Sequence, residues 1–114
     1  MKKTHKTLGV ASALFVAAIM LLAGCAQTTV TSGFEALESG NYPRAQAYFE
    51  NALEQNPDNL RAKQGLGEVA YNRYDYATAA KLFKEVLAID PEYGRAALYL
   101  GLTLEKVEDL PDAA

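Results

Sequence analysis

Two patterns of apolar residues divide the chain. Leu8 to Ala23 is a run of sixteen residues without a charge. Beyond Cys25, small and apolar residues recur instead at one long interval. Gly33, Gly67 and Gly101 lie 34 apart, as do Ala45, Ala79 and Ala113; Phe49 and Phe83 share that spacing, and so do Pro57 and Pro91. Aligning 26–59 with 60–93 gives seven identities in 34 positions, and aligning 60–80 with 94–114 gives seven in 21. Such agreement marks a duplicated unit that buries its apolar face against its neighbours.

Turn chemistry places helices within the unit. Asn41-Tyr42-Pro43 and Asp75-Tyr76 are N-cap signals, with Pro43 tolerated at a first helical position. Asn56-Pro57 and Asp90-Pro91 close one helix before the next opens. The spacing predicts helices near 33–39, 43–55, 59–73, 76–89 and 93–107. Ser32-Gly33-Phe34-Glu35 has the form of a capping box that would start the first. Thr28, Thr29, Val30 and Thr31 are poor helix formers, so residues 26–31 are expected to form a short tether. Gly67 and Ala79 are small where two antiparallel helices would cross, and Phe83 would fill the space beside them. The fold class expected is all-α, a solenoid of helical hairpins over 32–114. Its repeats fall at about 26–59, 60–93 and 94–114, the last incomplete. Leu110-Pro111-Asp112-Ala113-Ala114 resembles the opening Tyr42-Pro43-Arg44-Ala45-Gln46, so a further helix is expected to start there, as in a piece of a longer repeat protein. Leu98, Leu100, Leu102, Leu104 and Val107 then lie on a helix with no later partner, a face suited to self-association or to docking.

Charge separates the amino end from the rest. The net charge is −3, yet Lys2, Lys3, Lys6 and the sole His5 all precede the apolar run. From Cys25 onward there are eight basic and fourteen acidic residues. A nucleic-acid partner is not expected, because phosphate binding needs clustered positive charge. That stretch also lacks histidine, tryptophan and a second cysteine, and holds only Ser32 and Ser39 as serines. Nucleophilic catalysis and nitrogen or sulfur metal ligation are thereby stripped of their usual groups. The carboxylate pairs Glu50/Glu54 and Glu105/Glu108 have the spacing of an ordinary solvated helix, as does the opposite-charge pair Lys81/Glu85. No Asp-x-Asp-x-Asp-Gly calcium loop and no Gly-rich phosphate loop is present. The expectation is no catalysis, no metal and no cofactor.

A basic start, a 16-residue apolar run too short to span a bilayer of about 20 residues, and Leu22-Ala23-Gly24-Cys25 together resemble a bacterial lipoprotein signal peptide. The resemblance implies removal of 1–24, acyl lipid on Cys25 as the sole covalent attachment, and stable membrane anchoring through more than one chain. A single cysteine used so leaves no disulfide framework. Ala26 after the cysteine implies, for a Gram-negative source, the periplasmic side of the outer membrane.

The repeat resembles the tetratricopeptide repeat. The unit shows Leu66-Gly67, Ala70, Tyr76, Ala79, Phe83, Val86 and Pro91, preceded by Gly33, Ala36, Tyr42, Ala45, Phe49, Ala52 and Pro57. Lys63 and Ala97 stand where the family often has tryptophan. The resemblance implies a groove lined by the first helix of each pair, here Phe34, Leu37, Arg61, Gln64, Glu68, Tyr71, Arg95, Leu98 and Leu102, that binds a segment of another protein. Gln64 and Glu68 depart from the Lys and Asn that bind acidic chaperone tails, though Arg61 and Arg95 could hold a carboxylate or a peptide backbone. Similar lipoproteins serve assembly of envelope complexes, and pilus or secretion biogenesis is favoured. The alternative is an anchoring segment for a longer enzyme or regulator whose active domain lies beyond Ala114.

Overall fold

A computed structural model of the chain describes residues 27–110, and all their regular structure is helical. The helices are α1 (27–38), α2 (Tyr42–Gln55), α3 (Leu60–Asn72), α4 (Tyr76–Ile89) and α5 (Gly94–Glu108). The signal-peptide residues and Cys25 lie outside the described residues, as do Pro111 to Ala114. Among the described residues no helix is long and apolar enough to cross a membrane.

Helices α2, α3 and α4 each begin where a short polar side chain satisfies an orphan N–H. Asn41 accepts from Arg44 N, Asn59 from Ala62 N and Asp75 from Thr78 N. Tyr93 replaces that cap before α5 and makes no side-chain bond there. The endings repeat as well. Asn56 Oδ1 accepts from Asp58 N and Asp90 Oδ1 from Glu92 N, which turns the chain at each Asn/Asp-Pro step. At the α1–α2 corner Gly40 takes φ +77°, while at the α3–α4 corner Tyr74 takes φ +64°.

The first helix starts earlier than expected. Residues 27–31 are helical rather than a tether, and Ser32 lies inside α1 instead of capping it. Packing explains the correction. Val30 is buried, and Phe34 and Leu37 follow it on the same face, so tertiary contact outweighs the poor propensity of the threonines. Thr31 Oγ1 also donates to Gln27 O within the helix.

The core has two centres, one per hairpin. Val30, Ala36, Ala45, Phe49, Ala52, Ala62 and Val69 form the first; Ala70, Ala79, Phe83, Val86 and Ala96 form the second. Phe49 and Phe83 are wholly buried, each a gain of about 2–3 kcal/mol. Glycine makes room for both rings. Phe49 is held between Gly33 of α1 and Gly65 of α3, and Phe83 lies on Gly67. On its other side Phe83 meets Tyr99, which stands 34 residues after Gly65, with ring centroids 5.7 Å apart. Between α3 and α4, Glu85 pairs with Lys63 at 3.6 Å rather than with Lys81.

Candidate functional site

The first helices α1, α3 and α5 share one face, and a polar network runs across it. On α3, Gln64 and Glu68 are one turn apart and nearly inaccessible, at 1% and 2% exposure. Gln64 Nε2 donates to Glu68 Oε1. Arg95 of α5 then grips the same carboxylate from above, Nε to Oε1 at 2.6 Å and Nη2 to Oε2 at 2.9 Å. Tyr93 Oη reaches Gln64 Oε1 at 3.4 Å. A buried carboxylate is tolerable only when paired in this way, and a two-pronged guanidinium suits it best. The hydrogen bond to Glu68 holds the Arg95 guanidinium above its ordinary pKa.

Arg95 also ties in the first helix. Its guanidinium carbon lies 5.7 Å from the Phe34 ring centroid and 5.8 Å from that of Tyr99. Arg61 sits over the same Phe34 ring at 5.1 Å, and Phe34 meets Phe49 edge-on at 4.9 Å. One arginine thus links three successive first helices. On the opposite side α2 and α4 part around a trough floored by Leu66 and Val69, so the stack closes on the Arg95 side and opens on the other.

The nine residues expected along the groove separate into three groups. Gln64 and Glu68 are buried and serve the joint between repeats, so they do not offer contacts to a partner. Arg95 is already held by Glu68, and Leu37 packs on the first core. Tyr71 is half-buried, edge-on to Tyr76 and Tyr99 at 5.7 and 5.6 Å. Phe34 is half-buried on the first core beneath Arg61, while Arg61, Leu98 and Leu102 remain accessible, and Arg61 meets no carboxylate among the described residues. Leu98 and Leu102 stand 34 residues after Gln64 and Glu68 and are 61% and 37% exposed. Tyr99 and Tyr93 were missing from the expected set. The 34-residue offset from Gly65 to Tyr99 was the available signal, since an aromatic residue there must cover what glycine leaves open. Burial, and then the charge of Glu68, push the Tyr99 phenol above its ordinary pKa.

The tetratricopeptide repeat family model matches residues 33–93 and, overlapping, 70–114. The chain belongs to the tetratricopeptide repeat family. The paired antiparallel helices, the 34-residue offset and the small-on-aromatic contacts all agree with that membership. Repeats of this family bind other proteins. Over 61 residues the chain is 34% identical to cellulose synthase 1 operon protein C of Komagataeibacter xylinus. That alignment covers 54% of this chain and 5% of the relative, so the tetratricopeptide segment spans a small fraction of that protein's length.

Proposed function

We propose that the protein is a lipid-anchored, non-catalytic adaptor that captures a segment of another envelope protein on the face shared by α1, α3 and α5. The observation carrying this reading is the set of accessible groups there. Arg61 is poised over Phe34 without a carboxylate of its own, and Leu98 and Leu102 continue the face as an apolar ledge. A peptide carboxylate or backbone carbonyl suits the cation, and an apolar side chain suits the ledge. The Gln64–Glu68–Arg95 network holds this surface rigid before a partner arrives, which lowers the cost of ordering on binding.

The signal-peptide pattern ending at Cys25 supports anchoring by lipid, and Ala26 supports the periplasmic side of the outer membrane. Confinement to that surface would raise the effective concentration of the repeats near a membrane-bound partner. Assembly of an envelope complex is the task that joins these parts. Pilus and secretion biogenesis remain the favoured systems, and the relative's name adds a cellulose synthase operon to them.

The test uses photo-crosslinking in the envelope. A crosslinker at Arg61 or Leu98 is expected to trap one protein, and one at Glu54 on the far side of α2 is expected to trap none. Equal trapping from both sides overturns the inner-face reading. For the anchor, palmitate label that survives Cys25→Ala refutes lipidation at that residue.

A further inference from the structure

The first helix leaves almost no chain for a tether. Residue 27 is already helical, and Val30, three residues on, is buried in the first core. Two peptide units separate Cys25 from Gln27, and two units reach at most about 7 Å. Acyl lipid on Cys25 therefore holds the start of α1 against the headgroups. So anchored, the repeats have no stalk on which to rise from the bilayer.

Topology then decides what lies near that anchor. Three residues join α1 to α2 and four join α2 to α3, so successive helices run antiparallel. The start of α1 thus shares its end of the stack with the turns at 56–59 and 90–93 and with the first turns of α3 and α5. Arg61 and Arg95 are each the second residue of their helix. Phe34 stands seven residues after Gln27, about 10 Å along α1. The Arg61 and Arg95 guanidinium carbons lie 5.1 and 5.7 Å from its ring centroid. Tilting the stack about the anchor moves its far end but not these separations. Arg61 stays within roughly 25 Å of Cys25 at every tilt, a distance that about eight extended residues cover.

Charge at that end narrows the occupant. The two turns carry Asp58, Asp90 and Glu92. Anionic headgroups repel these carboxylates, which disfavours the lipid surface itself as the ligand. Among the cations there, Lys63 is paired with Glu85 and Arg95 with Glu68, whereas Arg61 meets no carboxylate among the described residues.

We infer that the segment captured on the inner face is juxtamembrane, lying within about eight residues of the partner's own membrane-embedded portion. It carries a carboxylate for Arg61 and an apolar side chain for Leu98 and Leu102. This rests on the proposed lipid anchor at Cys25 and adds the height at which the partner is met. Two proteins held in one plane, with short reaches on both sides, meet at high effective concentration.

The test lifts the repeats off the membrane in cells making the full chain with a photo-crosslinker at Leu98. Four Glu-Ala-Ala-Ala-Lys units between Ala26 and Gln27 form a semi-rigid helical spacer that raises the repeats by up to about 30 Å. A Gly/Ser spacer of equal length lets them fold back. Without a spacer, the trapped peptide is expected beside a membrane segment of the partner. The helical spacer is expected to lower trapping by about tenfold or more, and the flexible one by only a few-fold. Palmitate on Cys25 is counted in the same cells. Undiminished trapping by a palmitate-bearing chain with the helical spacer overturns the juxtamembrane position and leaves the anchor standing. An equal loss with both spacers overturns it too. Absence of palmitate sinks the anchor and this inference together. Trapping of lipid alone also overturns it, because the headgroup layer would then be the occupant.

Discussion

The same residue type stands at the same repeat position in Gly67 and Gly101, and the two meet opposite surroundings. Gly67 is covered by the Phe83 ring, whereas Gly101 meets nothing among the described residues within 4 Å of where its Cβ would be. At the first, absence of a side chain is a packing requirement. At the second it is only a weak point in an exposed helix, unless something else comes to cover it. The comparison shows that a repeat confers a shape on each copy but not an occupant.

The sharpest way to break the comparison is to empty a filled socket. Phe83→Ala leaves Gly67 uncovered and opens a cavity where Val86, Ala79 and Tyr99 meet. The expected loss is about 3–5 kcal/mol, read by urea unfolding, and so small a domain would be largely unfolded by it. Removing the joint between repeats comes next. Arg95→Ala strands a buried carboxylate with only Gln64 beside it. Because the arginine is itself about half exposed, the cost is nearer ~2 kcal/mol than the range for fully buried pairs. Arg95→Lys should recover only part of this, since an ammonium cannot match both oxygens at once. Recovery in full would mean that charge alone suffices at this joint.

Smaller effects sharpen the contrast. Gly101→Ala should stabilise by up to ~1 kcal/mol, because a helix interior gains propensity with no neighbour to disturb. Arg61→Ala should leave the melting temperature within the error of a surface change while reducing partner capture. The Tyr99 phenol gives the smallest effect. Its raised pKa favours the neutral form in the folded state, so its contribution holds below the ordinary value of about 10 and fades as pH climbs through the folded value. Part of the tyrosinate absorbance should therefore appear only above the ordinary phenol range, and Tyr99→Phe should remove that late component.

Helices α2 to α5 were legible because their limits are written in local chemistry. Asn41, Asp75, Asn56 and Asp90 cap or turn the chain within a few residues of themselves, and the observed bounds fall within about a residue of those expected. The helix over residues 27–31 is not legible in the sequence, because propensity is local while the burial of Val30 depends on α2 and α3. The groove face was legible as a face but not as a surface. Gln64 and Glu68 look like solvated polar residues until Arg95, 27 residues further along from Glu68, arrives to bury them. Gly101 was visible as the third member of a period, but its emptiness depends on space that no sequence interval records.

The most direct measurement is thermal unfolding of Gly67→Ala beside Gly101→Ala. The account predicts opposite signs. At Gly67 the added methyl must displace a buried ring, and overpacking of ~1–3 kcal/mol outweighs the gain in propensity, so the melting temperature falls by several degrees. At Gly101 the same methyl enters open space, and the melting temperature rises. Two shifts of equal sign and size would contradict a stack of hairpins with closed sockets below and one open socket above.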